Sequence, residues 1–208
     1  MPSRFRVRKI FKWLVNPIAK GLIKIGVTPN LATMIMLLFS ILSFISLSIL
    51  KNLLYFSLFI LITGIMDGCD GAISRLTNKA TKMGGFFDSF MDRFSEFFIF
   101  LGLLIYTKDQ FLWGFIDLKL IIFTSFLSSI MISYTRARAA VIFKGNFDIG
   151  LMARSERLFY LFITMIIAFF YGFMNEFLFI YMWLVIGTFV FRTVDIYFQI
   201  KKLDKRAK

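Results

Sequence analysis

The chain of 208 residues contains no histidine, one cysteine and three prolines. The absence of histidine excludes the commonest general base and the usual zinc ligand, so proton chemistry falls to carboxylates, tyrosine, lysine or water. The single cysteine, Cys69, excludes an intramolecular disulfide. Because Pro2, Pro17 and Pro29 all lie near the start, no proline interrupts the helical sequence that follows them.

Acidic residues are also scarce, with 12 Asp and Glu against 25 Lys and Arg, for a net charge of +13. The sequence has no soluble basic domain, so nucleic acid is not predicted as a partner. Hydrophobic residues make up 59% of the chain. A soluble domain of this size cannot bury so much apolar surface, whereas lipid solvates it. The composition predicts an integral membrane protein whose basic loops face an anionic leaflet.

Six stretches are long enough to cross a bilayer core of about 30 Å at roughly 1.5 Å per residue. These predicted spans are 30–50, 53–75, 85–106, 117–142, 151–173 and 176–202. Six spans place both termini on one side, and Lys and Arg concentrate in the tails and the loops on that side. The expected fold is therefore all-α, a multi-pass protein of the cell membrane with both termini cytoplasmic.

Residues 4–26 alternate apolar and basic residues at helical spacing. This pattern predicts an amphipathic interfacial helix on an anionic leaflet, with a solvated helix packed on the protein as the alternative. Asn16-Pro17 is expected to split the segment, and Thr28-Pro29 to start the first span in the same manner. The predicted organisation is a cytoplasmic juxtamembrane segment, a six-span domain and a basic cytoplasmic tail, at 1–27, 28–202 and 203–208.

Four aspartates interrupt the apolar sequence where the second span ends and the third begins. Asp67 and Asp70 are three residues apart and Asp88 and Asp92 four, so each pair lies on one helix face. A charge at mid-membrane costs at least about 2.5–3.5 kcal/mol, so such residues face a bundle interior or a wet cavity. Because a short loop joins the two antiparallel spans, the pairs can converge on a hard cation such as Mg²⁺ or Mn²⁺.

Two other interpretations of these aspartates stay open. One is a structural salt-bridge cluster with nearby arginines, namely Arg75, Arg93 or Arg138. The other is the intramembrane site of a divalent-cation transporter. Transport favours a polar path across the whole bilayer, whereas the sequence puts the carboxylates near one face, with an apolar outer half.

Small and basic residues stand at fixed distances from the aspartates. Gly71 follows Asp70, where a bulky side chain would block a ligand, and Arg75 one turn later can face a phosphate. The run from Asp67 to Asp92 resembles the signature of the CDP-alcohol phosphatidyltransferase family, D-x-x-D-G-x-x-A-R-x8-G-x3-D-x3-D. Every spacing matches, and the one departure is Ser74 in place of alanine.

The resemblance implies transfer of a phosphatidyl-type group from a CDP-linked lipid, CDP-diacylglycerol or CDP-archaeol, to an alcohol, with release of CMP. It implies a homodimer and two Mg²⁺ or Mn²⁺ ions held by Asp67, Asp70, Asp88 and Asp92. It makes Asp92 the general base on the acceptor hydroxyl as well. The residues that it assigns to the CDP-lipid are Asn30, Leu31, Ala32, Thr33, Gly71, Arg75 and Thr81.

Arginines on the last three spans can converge on an anion, since the planar guanidinium binds phosphate oxygens with two donors. These spans are similar to the subgroup that makes phosphatidylinositol phosphate, or its archaeal ether-lipid counterpart, from inositol 1-phosphate. The similarity implies that Arg136, Arg154 and Arg192 bind the acceptor phosphate. Lys144 and Arg157 are expected to snorkel to headgroups instead. Glycerol 3-phosphate also carries a phosphate and is the alternative acceptor.

Overall fold

The computed structural model describes residues 12–142 and 150–206, which form seven helices and one short hairpin. In chain order the helices are α1 (Lys12–Lys24), α2 (Pro29–Ser48), α3 (Leu53–Leu76), α4 (Lys82–Tyr106), α5 (Leu118–Ile142), α6 (Arg154–Tyr171) and α7 (Met174–Arg206). The strands β1 (Phe111–Leu112) and β2 (Ile116–Asp117) pair antiparallel between α4 and α5. The predicted helical fold is confirmed, with one helix for each predicted span.

Four of the described helices, α2, α3, α5 and α7, are long and apolar enough to cross a membrane. Helices α4 and α6 carry several charged residues at their starts, which makes them more polar. Thr28 caps the start of α2 by accepting a hydrogen bond from the Leu31 N–H at 3.3 Å, and Pro29 is the first helical residue. The chain therefore begins α2 as the Thr-Pro pair predicts.

The predicted break of the N-terminal segment at Asn16-Pro17 is wrong, because α1 runs through Pro17 without interruption. A proline inside a helix removes one hydrogen-bond donor, a loss that packing can offset. Val15 lies against Gly68 of α3, and Ala19 is fully buried. Helix α1 is thus a packed element with an exposed outer face.

The hairpin β1–β2 was not predicted. Trp113 and Gly114 both adopt positive φ angles, 53° and 82°, and this reverses the chain within three residues. The hairpin follows α4 and lies beyond its end, opposite the end that carries the aspartates.

Helix packing leaves an opening on one side of the bundle. Helix α2 packs on both α3 and α4, α6 packs on α3, and α5 packs on α7. Within the described residues, α4 is not packed closely against α3 or α6. An apolar core that includes Phe56, Ile60 and Leu103 fills the bundle away from the aspartates. Polar side chains that include Asp92, Glu96 and Arg154 lie in the space that α4 leaves beside α3 and α6.

Candidate active site

Asp67, Asp70 and Asp88 come together between the end of α3 and the start of α4. One carboxylate oxygen from each lies within 4.8 Å of the others. Asp70 is only 6% exposed, and Thr33 Oγ1 on α2 donates a hydrogen bond to Asp70 Oδ2 at 3.1 Å. Carboxylates this close repel each other strongly in a site of low dielectric constant, and oxygen donors are what Mg²⁺ and Mn²⁺ prefer. These residues therefore fit a divalent cation.

Asp92 lies one helical turn after Asp88 and beside these three carboxylates. Arg154 Nη1, at the start of α6, contacts carboxylate oxygens of both Asp67 and Asp92. Arg93 Nη2 is 3.8 Å from the other oxygen of Asp92. The structure thus places Asp92 between the three clustered carboxylates and the guanidinium groups of Arg93 and Arg154.

The starts of α2 and α4 meet at the rim of the site. Thr81 caps α4, and its Oγ1 accepts a hydrogen bond from the Gly84 N–H at 3.0 Å. A Cβ atom at Gly84 would lie 3.0 Å from Thr81 Oγ1 and 3.6 Å from Asn30 Oδ1. The glycine therefore allows this close approach and brings Asn30 and Thr81 together.

The four α2 residues predicted to contact the CDP-lipid differ in their placement. Asn30 is at the rim, and Thr33 is buried and bonded to Asp70. Leu31 is 47% exposed, and Ala32 is fully buried in an apolar cluster with residues of α3. Only the side chains of Asn30 and Thr33 are thus directed toward the aspartate end of α3 and α4.

An apolar cleft runs along α3 between α1 and α6. Asp67 and Arg75 line it together with Asn16 at the polar end. The remaining lining is mostly apolar and includes Ile60, Leu158 and Phe162. A molecule with a hydrocarbon chain and a charged head matches this arrangement, because the polar end of the cleft includes one of the clustered aspartates.

The three arginines predicted to bind a phosphate lie on α5, α6 and α7, where Arg136 is exposed. Arg192 is 2% exposed, and its Nη1 donates to the main-chain oxygen of Ile132, one turn before Arg136 on α5. Thr188, one turn before Arg192, accepts a hydrogen bond from the Met152 N–H at 3.3 Å, two residues before Arg154. These contacts bring the three arginine-bearing segments to the same end of the bundle.

Gly150 makes the approach of this segment to α7 possible. Its φ angle is 104°, and a Cβ atom there would lie 2.7 Å from Thr188 Cγ2. A side chain at this position would therefore be strained and would also clash. The glycine permits the Met152–Thr188 contact that links α6 to α7.

The expectation that Arg157 snorkels to headgroups is wrong. Arg157 is 1% exposed, and its Nε and Nη2 donate to Glu96 Oε1 at 3.1 and 2.7 Å. Sequence reasoning also missed Glu96, although it lies four residues after Asp92 and continues the spacing from Asp88. That continued spacing was the signal for an inward-facing carboxylate. Lys144 lies outside the described residues.

Long apolar helices around a carboxylate site suited to a divalent cation are typical of a metal-binding membrane protein. A family model described as CDP-alcohol phosphatidyltransferase matches residues 26–194. The chain belongs to this family, which confirms the resemblance drawn from the aspartate motif. It is a membrane transferase of phospholipid biosynthesis.

Relatives of known activity give the comparison more detail. The archaetidylinositol phosphate synthase of Pyrococcus horikoshii is 32% identical over 159 residues, which cover 76% of this chain and 80% of that protein. The phosphatidylinositol phosphate synthase of Mycobacteroides abscessus is 30% identical over 152 residues, covering 73% of this chain and 67% of that one.

Solved structures of the Mycobacterium tuberculosis phosphatidylinositol phosphate synthase have a similar fold. The structure with CDP-DAG bound matches with a TM-score of 0.71 and 26% identity, covering 89% of this chain and 92% of that one. The complex with manganese and citrate matches with a TM-score of 0.72 and 27% identity, covering 88% of this chain and 87% of that one.

Proposed function

We propose that the protein transfers the phosphatidyl-type group of a CDP-linked lipid to inositol 1-phosphate and releases CMP. The observation that carries this proposal is the contact of Arg154 with Asp92. A substrate that carries both a phosphate and a reacting hydroxyl requires a guanidinium group for the phosphate next to a carboxylate that takes the hydroxyl proton. Arg154 and Asp92 would meet these two requirements. The names of the archaeal and mycobacterial relatives support an inositol phosphate as this acceptor.

The donor half of the site consists of the clustered carboxylates and the apolar cleft. Asp67, Asp70 and Asp88, with Asp92, would hold two ions of Mg²⁺ or Mn²⁺, in line with the manganese complex of the mycobacterial enzyme. Bound cations neutralise a pyrophosphate and stabilise the departing CMP. The side chains proposed to contact the CDP group are those of Asn30, Thr33, Arg75 and Thr81, and Gly71 leaves room for it. Leu31 and Ala32, whose side chains are directed elsewhere, would contribute no side-chain contact. The cleft along α3 takes a lipid chain.

In the proposed reaction, the Asp92 carboxylate takes the proton of the acceptor hydroxyl. The hydroxyl oxygen forms a bond to the lipid-linked phosphorus, and the bond from that phosphorus to the phosphate of CMP breaks. CMP leaves with the electron pair of this bond. Arg136, Arg154 and Arg192 hold the acceptor phosphate and so place the hydroxyl against the reacting phosphorus.

The proposed arrangement in the cell membrane has six spans, α2 to α7, with both termini and the site on the cytoplasmic side. Helix α6, with 18 residues, is about 27 Å long, close to the thickness of a bilayer core. Helix α1 lies at the interface, because Trp13 is 72% exposed on the face away from α3. A homodimer and the division at 1–27, 28–202 and 203–208 complete the proposal.

Comparing acceptors tests the proposed function directly. Purified protein with Mg²⁺ and either CDP-diacylglycerol or CDP-archaeol is given inositol 1-phosphate, glycerol 3-phosphate, serine or inositol, and CMP release is measured. We expect the fastest release with inositol 1-phosphate and little with unphosphorylated inositol. Equal or faster release with glycerol 3-phosphate would assign the protein to the alternative acceptor. Family membership favours both reactions over a divalent-cation transporter.

A further inference from the structure

Two ion pairs cross the space between α4 and α6 like rungs. The first rung joins Asp92 to Arg154. The second joins Glu96 to Arg157, one helical turn deeper on both helices. Both members of the second rung are nearly inaccessible, with Glu96 4% exposed and Arg157 1% exposed. The first rung belongs to the proposed reaction, whereas the second takes no part in it.

Glu96 and Arg157 are too buried to contact a substrate directly, but they join two helices that pack little against each other in the described part of the chain. Within the described residues, α4 packs on α2 and α5, and α6 packs on α3 and α7. Side chains that bridge the space, Glu96 and Arg157 among them, therefore provide the direct contact between α4 and α6. Any change in the separation of these helices moves Arg154 with respect to Asp92, because each is one turn from a member of the second rung.

The carboxylate of Glu96 is also connected back to Asp92. Arg93 Nη1 is 3.3 Å from Glu96 Oε2 and 2.6 Å from Ser133 Oγ on α5, and Arg93 Nη2 is 3.8 Å from Asp92. Ser129 on α5 donates to Glu96 Oε1. Glu96 thus receives donors from α4, α5 and α6, so its position is defined on three sides.

Arg157 extends the same connection toward the acceptor side. Its Nη1 donates to the main-chain oxygen of Met152 at 3.0 Å, while the N–H of Met152 donates to Thr188 on α7. The segment just before Arg154 is therefore held from both sides. Thr188 is one turn from Arg192, so the contacts of Arg157 reach the segments that carry two of the proposed phosphate-binding arginines.

We infer that Glu96 and Arg157 are a positioning pair that sets where the acceptor phosphate is bound relative to the base Asp92. This inference rests on the proposed function. Asp67, Asp70 and Asp88 and the cleft beside α3 lie outside the pair's direct contacts, and Asp92 is connected to Glu96 only through Arg93. Loss of the pair should therefore impair binding of the acceptor and leave binding of the CDP-lipid largely unchanged.

The test compares the KM for each substrate in three variants. Arg157→Lys keeps a positive charge opposite Glu96. Its ammonium group lacks the planar set of donors with which the guanidinium bonds to both Glu96 and the main-chain oxygen of Met152. Glu96→Gln keeps the shape and removes the charge. The double variant Glu96→Leu/Arg157→Met removes both charges, a change that often leaves a buried pair's stability unaltered or improved. We expect the acceptor KM to rise about tenfold or more, with the CDP-lipid KM within about twofold.

The double variant separates positioning from folding. If Glu96 and Arg157 only stabilise the bundle, the double variant should have both the Tm and the acceptor KM of the original protein. We expect a Tm near that of the original protein with the acceptor KM still raised. Should the double variant not fold, Arg157→Lys decides the question, because its lysine remains paired with Glu96. A normal acceptor KM in a folded variant, or an equal rise in both KM values, would overturn the inference.

Tyr160→Phe is the matched control on the same helix. It removes the hydrogen bond from Tyr160 Oη to the main-chain oxygen of Phe177, 3.0 Å long, which also joins α6 to α7. We expect a lower Tm and no change in either KM. Failure of the proposed function would give a different result: the unmodified protein would release no CMP with inositol 1-phosphate.

Discussion

Asp92 is the residue on which the proposed proton transfer depends, and it is also contacted by Arg154. Asp92→Asn keeps the size of the side chain and removes its ability to accept a proton. We expect CMP release to fall by about 10²–10⁴-fold while CDP-lipid still binds. Turnover with both substrates and equilibrium binding of the CDP-lipid measure the two effects separately.

A control aspartate distinguishes loss of the base from loss of charge in general. Asp117 lies in β2, where its Oδ1 accepts a hydrogen bond from the Lys119 N–H at 2.8 Å. Asp117→Asn should leave CMP release unchanged. Normal turnover in Asp92→Asn would show that another group accepts the proton.

Arg192 is a buried arginine in the last helix, and its main-chain contact with Ile132 orients it toward α5. Arg192→Ala should raise the acceptor KM about tenfold or more and the CDP-lipid KM far less, because a charge-assisted hydrogen bond contributes roughly 1.5–3 kcal/mol. The exposed Lys201→Ala on the same helix should change neither. An equal rise in both KM values for Arg192→Ala would argue against an acceptor-phosphate site.

Thr33 supports one of the clustered carboxylates from a neighbouring helix. Thr33→Val has a similar shape but cannot donate to Asp70 Oδ2. We expect about tenfold weaker binding of Mg²⁺ or Mn²⁺, since groups that orient a metal ligand have effects of this size. Isothermal titration of the metal measures this without turnover. Thr63→Val is the control, because the hydroxyl of buried Thr63 donates to the main-chain oxygen of Phe59 on its own helix. Unchanged metal affinity in Thr33→Val would contradict the role.

At the scale of elements, the close approach of α1 to α3 depends on a residue without a side chain. A Cβ atom at Gly68 would lie 3.0 Å from Val15 Cγ2 and 3.3 Å from Cγ1. In Gly68→Ala, Val15 would have to shift by a few tenths of an ångström, so we expect a lower Tm, and reduced activity because Gly68 follows Asp67. A smaller side chain at position 15 should remove this steric conflict.

The double variant tests whether contact with α1 causes the effect. Gly68→Ala/Val15→Ala should recover most of the lost Tm. Gly21→Ala, on α1 itself, meets no atom within 4 Å and should be neutral or slightly stabilising. If Val15→Ala gives no recovery, the cost at Gly68 arises from α3 alone.

Helix positions were the most predictable elements, because long apolar runs and the Thr-Pro start have local causes. The predicted break at Pro17 was wrong. Val15 and Ala19, on either side of Pro17, are packed in the bundle, and local sequence carries no information about those contacts. The ion pair of Glu96 with Arg157 joins residues 61 positions apart. The four-residue spacing after Asp92 indicates that the Glu96 carboxylate faces inward, but no sequence pattern identifies Arg157 as its partner.

The aspartates illustrate the same limit. Their spacing predicted two pairs on two helix faces, and the structure brings three of them together. The prediction assumed that α3 and α4 are direct neighbours. Within the described residues, each packs on α2 instead, and this leaves the space that the site uses. Which helices touch depends on the whole bundle, so the shape of the site was beyond the sequence pattern.

At the scale of the whole molecule, the two ends of the bundle differ in chemistry. The carboxylates and arginines lie together at one end, and the hairpin β1–β2 with its exposed Trp113 lies at the other. The loops before and after α4, a helix of 25 residues, are therefore about 37 Å apart along its axis. This separation exceeds a bilayer core, so the two loops should be accessible from opposite sides.

Labelling of introduced cysteines measures this orientation in sealed cells. The native Cys69 is fully buried and should give little background. Lys108→Cys, in the exposed loop after α4, should react with a membrane-impermeant maleimide in intact cells. Lys79→Cys, in the exposed loop before α4, should react only after permeabilisation, because the excess of Lys and Arg predicts a cytoplasmic location for that loop. The reverse pattern would put the site outside the cell, away from a cytoplasmic supply of CDP-lipid, and reaction of both in intact cells would contradict a spanning α4.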